Sequence, residues 1–150
     1  MSVYRFRLAT VLRLRQSERD QRRGELAEAY RVADLLARQA DQLARELDGL
    51  RRQQRCAVGP GTINVDLLVD SQRYEVALRF RQNQLERQRA SVAEEIERRR
   101  AALVEADRQV RTLELLRDRQ EQQFRQEEER REMQRLDEVA QQRALPREGM

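Results

Sequence analysis

In the first third of the chain, eight regularly spaced positions carry only leucine or alanine, and this pattern constrains the fold most. We call this row of positions the seam. Steps of three and four residues separate them, which places the side chains on one face of an α-helix and forms a heptad repeat. A disordered chain has no reason to keep this register, so we predict a first helix over about residues 4–54 with one narrow apolar stripe. The stripe consists of Leu26, Ala29, Ala33, Leu36, Ala40, Leu43, Leu47 and Leu50.

The composition agrees with long helices that bury little surface. Of the 150 residues, 39% are charged and 39% are hydrophobic, but only 4% are aromatic, whereas an average globular domain contains ~25% charged residues. Too few apolar side chains are present to surround a broad core. Sandwiches, barrels and Rossmann-type sheets are therefore excluded, and we expect a single all-α domain.

Several classes of function lack the residues that they need. The chain has no histidine, which excludes imidazole bases and histidine-paired nucleophiles. The single Cys56 forms neither an intrachain disulfide nor a zinc site, and Gly59-Pro60-Gly61 matches no phosphate-binding loop. No apolar run approaches the ~18 residues of a membrane span. We therefore expect no enzyme activity, no cofactor, no metal and a cytosolic or peripheral location.

Arginine supplies all the positive side-chain charge, which is concentrated at one end. The chain has 31 basic and 27 acidic residues, for a net charge of +4. Residues 1–24 contain seven arginines and two acids, and the remainder is close to neutral. Nucleic-acid binders carry a broader basic surface, so we expect no nucleic-acid partner.

A second helix follows the one strong break in the pattern. Proline lacks the amide hydrogen that a helix needs, so we place a turn at about residues 56–63, around Gly59–Gly61. Asn64 or Asp66 is suited to cap a helix over about residues 64–143. The seam of this helix is patchier and reads Leu78, Gln82, Leu85, Arg89, Val92, Ile96, Arg99, Leu103, Ala106, Val110, Leu113, Arg117, Gln120 and Phe124.

The short linker favours an antiparallel coiled-coil hairpin, because the second helix can fold straight back on the first. One register that pairs apolar positions places Leu26 near Val92 and Arg19 beside Arg99. A shift by one heptad would also be tolerated.

The second helix is longer than the first. At ~1.5 Å per residue the two helices span roughly 75 and 120 Å, so residues 114–143 would have no intrachain partner. Either a partner orders this overhang, or it frays like the tail expected at residues 144–150. Its last turns carry an apolar patch of Met133, Leu136, Val139 and Ala140.

Residues 3–15 combine apolar and basic side chains. Such a segment binds an acidic lipid surface or an acidic protein groove, unless Leu8 and Leu12 simply extend the seam with the arginines solvated outside. Tyr4 and Phe6 are better candidates for contact with another molecule.

Two aromatic residues, Tyr74 and Phe80, lie off the seam of the second helix, whereas Leu78 lies on it. Apolar residues off a two-helix seam form an exposed strip, which often binds a partner. The alternative is that they pack on the hairpin itself or on a second copy, and the sequence leaves both open.

Four segments resemble the flagellar export protein FliJ family. They are FRLATVLRLR at residues 6–15, SQRYEVALRF at 71–80, LVEADRQVRTLELLRDRQ at 103–120 and MQRLDEVAQQRA at 133–144. The chain length and the single hairpin break are also similar to those of family members, so the resemblance covers nearly the whole chain.

The resemblance implies a component of the flagellar type III export apparatus, and through it a role in flagellum biogenesis, motility and chemotaxis. Proteins of this family look like the central stalk of rotary ATPases: their terminal end inserts into the ring of a FliI-like export ATPase. It also implies contacts with an FlhA-like export-gate protein and with export chaperones. The implied location is the cytoplasm, peripheral to the inner face of the cell membrane at the flagellar base.

Two sets of partner-binding residues follow from the resemblance together with the unpaired end and the off-seam aromatics. The set expected to face the export gate is Tyr74, Leu78 and Phe80. The set expected to face the ATPase ring is Arg5, Phe6, Arg7, Arg13, Phe124, Met133, Leu136, Asp137 and Val139.

Two other interpretations remain at this point. A YscO-type stalk of a virulence type III secretion system has similar features. A generic structural coiled coil would self-associate as a rod or four-helix dimer, and weak self-association is compatible with a stalk as well.

Overall fold

The computed structural model describes residues 2–59, 61 and 63–145. Within them the chain forms two α-helices, α1 (Ala9–Ala57) and α2 (Val65–Ala144), and no strand. The prediction of an all-α fold with a longer second helix is confirmed. α1 begins at Ala9 rather than at about residue 4, and the expectation of a frayed tail at 146–150 lies outside the described residues.

The break between the helices lies where glycine and proline predicted it. α1 ends at Ala57, and Gly61 has a φ of +146°, a conformation that residues with a Cβ rarely adopt. Asn64 caps α2, because its Oδ1 accepts a hydrogen bond of 3.3 Å from the backbone N–H of Leu67. This side chain satisfies one of the amide groups that have no partner within the first turn of a helix.

The described chain forms two compact units, each of which contains part of both helices. One unit consists of residues 20–104, and the other combines residues 1–19 with 105–150.

The unit of residues 20–104 is built on the predicted leucine–alanine seam. All eight seam positions of α1 are buried or half-buried, and Leu47, Leu50 and Leu78 form a cluster against which Leu43 packs. On α2 the seam positions from Leu78 to Leu103 are likewise covered, with the exception of Arg89, which is exposed. The heptad pattern therefore identified the buried face of both helices.

Polar contacts across this unit show that the two helices run antiparallel. Gln54, near the end of α1, donates a hydrogen bond of 3.2 Å to Glu75 near the start of α2. Further along, the guanidinium of Arg100 donates to the hydroxyl of Tyr30 over 2.6 Å. Residues late in α1 thus face residues early in α2, as an antiparallel hairpin requires.

The register differs from the predicted one by about one heptad. Arg99 was expected beside Arg19, but its Nη1 donates a hydrogen bond of 2.5 Å to the backbone carbonyl of Glu25. A shift by one heptad exchanges one leucine or alanine layer for the next, so the apolar pattern alone discriminates weakly between the two registers. The observed register gives the half-buried Arg99 a backbone acceptor.

The unit of residues 1–19 and 105–150 has a smaller core. Its buried apolar side chains are Leu12 on α1 and Ala106 and Val110 on α2, with Val110 fully inaccessible. Of the two residues expected to extend the seam, Leu12 does so, whereas Leu8 is 37% exposed.

The seam carries the stability of the hairpin, so one buried and one exposed side chain nearby should respond differently to truncation. Leu78 is 1% exposed and Val76 is 68% exposed. We expect Leu78→Ala to lower the free energy of unfolding by about 2–5 kcal/mol, because the cavity and the lost burial both cost stability. Urea unfolding followed by circular dichroism measures this change.

Val76→Ala is the matched control, and its effect should stay within about 0.5 kcal/mol, as is usual for exposed positions. Equal effects of the two substitutions would contradict the assignment of the seam.

Candidate partner-binding sites

The segment that precedes α1 lies along α2 in the unit of residues 1–19 and 105–150. Tyr4 packs on Phe124 with ring centroids 5.6 Å apart and a tilt of 46°, and its hydroxyl donates to Gln120 over 3.2 Å. The hydroxyl of Ser2 donates to Glu128 over 2.8 Å. Tyr4 was expected to contact another molecule, but instead it anchors the start of the chain to α2.

These contacts shorten the unpaired part of α2. Residues 114–143 were expected to lack an intrachain partner, yet contacts from the N-terminal segment reach Glu128. An extended chain covers roughly 3.3 Å per residue against 1.5 Å in a helix, so a few non-helical residues reach much further than a continued α1 would. From Glu129 to Leu145 every residue is exposed, so the overhang begins at residue 129.

The overhang exposes large apolar side chains. Met133 and Leu136 are each 67% exposed and Val139 is 47% exposed. At ~100° per residue, Met133 and Leu136 lie about 120–180° around α2 from Phe124. Met133 and Leu136 therefore do not continue the face that Phe124 presents to Tyr4.

Of the residues predicted to face an ATPase ring, Arg5, Arg7, Arg13 and Asp137 are exposed and Phe6 is half-buried. Phe124 is half-buried against Tyr4. Its ring is thus engaged within the chain, which leaves the arginines and the overhang as the accessible part of this set.

The charges of this unit are distributed unevenly between the two elements. On α2, Arg125 pairs with Glu121 at 2.8 Å and Arg131 with Glu128 at 3.5 Å. Within the described residues Arg5, Arg7 and Arg13 have no ion-pair partner. Residues 2–19 carry five arginines and one acidic residue, whereas residues 105–145 carry nine arginines and eleven acidic residues, so the excess positive charge of the unit lies at the start of the chain.

The three residues predicted to face an export gate lie in the unit of residues 20–104 and do not share one face. Leu78 is 1% exposed in the seam, Tyr74 is 51% exposed and Phe80 is 62% exposed. At ~100° per residue, Tyr74 lies about 40° and Phe80 about 200° around α2 from Leu78. Tyr74 therefore borders the seam, Leu78 is buried within the seam, and Phe80 lies on the opposite side of α2.

A hydrogen-bonded carboxylate lies next to Tyr74. Glu75 accepts two hydrogen bonds from Arg79, at 3.0 and 2.7 Å, and one from Gln54 of α1 at 3.2 Å. The hydrogen bonds from Arg79, and after them the one from Gln54, hold the pKa of the Glu75 carboxyl below its ordinary value, although partial desolvation opposes them. Glu75 thus links the two helices best when it is ionised.

The described residues contain no cluster of three or more potential metal ligands. Within them, neither helix has a stretch that is long and apolar enough to cross a membrane. The candidate surfaces of the two units consist of exposed apolar side chains and charged groups, which suit contacts between proteins.

A family model described as the flagellar FliJ protein matches residues 4–149, nearly the whole chain. The chain belongs to the flagellar FliJ family. Proteins of the FliJ family are non-catalytic, cytoplasmic components of flagellar type III export. No curated protein and no solved structure matches the chain significantly.

The sequence-based interpretation missed two features of this FliJ-family chain. One is the pairing of Tyr4 with Phe124, although the isolation of Phe124 between long polar stretches is a signal that such an aromatic residue needs a partner. The other is Val76, which lies at heptad spacing from Phe80 on the outer side of α2.

Removal of the aromatic anchor should release the start of the chain. We expect Tyr4→Ala to increase amide hydrogen exchange in residues 9–13 and around Phe124, because the N-terminal segment no longer covers α2. Hydrogen exchange with mass spectrometry detects this change. Residues 40–50 serve as the internal control, and an effect that is equal there would contradict a local role of Tyr4.

The stability contributed by Glu75 should depend on pH. Because its pKa is lowered in the folded state, its contribution is present above the pKa of the unfolded chain, ~4.3 for glutamate, and disappears as the pH falls through the folded-state pKa. We expect Glu75→Gln to lower the melting temperature at pH 7 and the difference from the unmodified protein to vanish in acid. A difference that does not depend on pH would contradict this role.

Proposed function

We propose that this FliJ-family protein acts as a stalk-like coiled coil that binds and promotes the ring of a FliI-like export ATPase, and that it performs no chemistry of its own. The unpaired end of α2 is the part that enters or touches the ring. The observation that carries the proposal is the overhang of residues 129–145, in which every side chain is exposed although Met133, Leu136 and Val139 are apolar.

The chemistry of this end suits a partner that supplies both apolar and acidic groups. An isolated helix with few apolar residues is marginal in water, so a ring that surrounds the overhang would order it. Arg5, Arg7 and Arg13 add positive charge without an ion-pair partner in the described chain. Complementary charge on the ring would speed the encounter and orient the stalk.

The contact with an FlhA-like export gate is proposed for the border of the seam at Tyr74. Leu78 supports this surface from inside, since it is buried against Leu47 and Leu50. Phe80 lies on the other side of α2, so a gate protein that touched both aromatics would have to wrap around the helix. We therefore assign the gate contact to Tyr74.

The remaining parts of the proposal follow from the family. The protein would couple the ATPase to the gate, bind export chaperones and stay in the cytoplasm, peripheral to the membrane at the flagellar base. The family match over residues 4–149 favours flagellar export over the YscO-type alternative.

Stimulation of the export ATPase tests the proposal. We expect the full chain to raise ATP hydrolysis by the matching FliI-like ATPase. Leu136→Asp combined with Val139→Asp should raise the half-saturating concentration about tenfold or more, which corresponds to a loss of about 1.4 kcal/mol of binding free energy. A coupled assay of ATP hydrolysis at increasing stalk concentration gives both values.

Leu115→Asp is the matched control, because Leu115 is a 59% exposed leucine of the same helix outside the overhang. Its effect on stimulation should be small. Absence of stimulation by the unmodified chain would contradict the stalk function. The molecular mass in solution tests the alternative. A mass that increases with protein concentration, and that is lower in the variant with Leu136→Asp and Val139→Asp, would indicate a generic self-associating coiled coil instead.

A further inference from the structure

The outer side of α2 carries a second heptad stripe in the unit of residues 20–104. Its positions follow one another in steps of four and three residues, and we call this set the outer stripe. All of them are exposed and lie about 140–220° around the helix from the seam residue Leu78, at ~100° per residue. They are Val69, Arg73, Val76, Phe80, Asn83 and Arg87.

The apolar members of the outer stripe are only partly covered by the rest of the chain. Val76 is 68% exposed, Phe80 is 62% exposed and Val69 is 41% exposed. Isolated apolar residues on a surface are normal. Three of them at heptad spacing on one face of a helix form the pattern by which coiled-coil helices recognise one another.

The charge of the outer stripe indicates the chemistry of its partner. Within the described residues neither Arg73 nor Arg87 has an ion-pair partner, whereas the neighbouring Arg79 pairs with Glu75 at 2.7 Å. Arg73 and Arg87 are separated by fourteen positions, which is roughly 21 Å along a helix. The stripe thus offers two uncompensated positive charges four turns apart, with two apolar side chains between them.

A second copy of this chain fits the outer stripe poorly. If two stripes pair antiparallel with Val76 opposite Phe80, Val69 lies opposite Arg87 and Arg73 lies opposite Asn83. Only the central apolar layers then match, Val69 faces a charge, and the stripe offers no acidic residue to pair with its arginines. A membrane surface is also a poor occupant, because helices that lie in the interface bury a broad apolar face and this stripe is one residue wide.

We propose that the outer stripe of Val69, Arg73, Val76, Phe80 and Arg87 docks an amphipathic helix of another protein that carries acidic residues beside its apolar seam. The incoming helix packs its apolar residues around Val76 and Phe80 and places carboxylates near Arg73 and Arg87. α2 then holds α1 on one side and the incoming helix on the other. The site is separate from the overhang and from the surface at Tyr74, so it does not depend on the proposed contacts with the ATPase ring or the gate.

Two synthetic peptides of about three heptads test the proposal, because charges that flank a heptad seam select the partner of a helix. Both carry leucine at the seam positions; one has glutamate at the flanking positions and the other has lysine. We expect the glutamate peptide to bind the full chain at least about tenfold more tightly in a fluorescence anisotropy titration, with an affinity that falls as salt increases.

Substitutions locate the binding site. Val76→Asp combined with Phe80→Asp should weaken binding of the glutamate peptide at least about tenfold, because it places carboxylates in the centre of the contact. Arg73→Ala combined with Arg87→Ala should weaken it less and reduce its salt dependence. The matched control is Val104→Asp combined with Leu115→Asp, at two other exposed apolar positions of α2, and it should leave binding unchanged. Circular dichroism of each variant verifies that the helices are intact.

Four outcomes would overturn the proposal. Equal affinity for the glutamate and lysine peptides would show that charge does not select the partner, and unchanged affinity in the Val76 and Phe80 variant would place binding elsewhere. Binding to phosphatidylglycerol vesicles, or dimerisation in analytical ultracentrifugation, that is lost in the same variant would assign the stripe to a lipid surface or to a second copy. Because none of these measurements uses the ATPase, failure here leaves the proposed stalk function untouched.

Discussion

A seam of about one apolar side chain per helical turn carries the packing of this protein. Leu47, Leu50 and Leu78 form the described cluster in one unit, and Leu12, Ala106 and Val110 are the buried residues of the other. With so narrow a stripe, neither helix can bury its apolar residues alone, and most helical stability in proteins comes from the packing of such a face. The packing of each unit depends on this pairing.

A narrow seam also leaves most of each helix surface free for other contacts. The polar residues keep long helices in solution, while local exceptions to the polar pattern become candidate binding surfaces. Met133 and Leu136 on the overhang and Val76 and Phe80 on the outer stripe are such exceptions. A partner that bound at any of these positions would not compete with the packing of the seam.

The structure places the predicted site residues in different environments, for identifiable reasons. Heptad spacing gives the angular position of a residue, so it placed Leu78 on the seam, where it is buried, and Tyr74 and Phe80 off the seam, where both are exposed. It did not reveal that Tyr4 packs on Phe124, because the segment before α1 is not helical and helix periodicity says nothing about where it lies. Consequently the length of the overhang was overestimated.

The helices, the break between them and the face that each one buries can be predicted from the sequence, because they follow from local spacing and from the backbone chemistry of glycine and proline. The register and the course of the first residues depend instead on tertiary contacts. Successive leucine and alanine layers are nearly interchangeable, so the choice depends on contacts between distant residues, such as the hydrogen bond from Arg99 to the carbonyl of Glu25. Such contacts leave no periodic signal in the sequence.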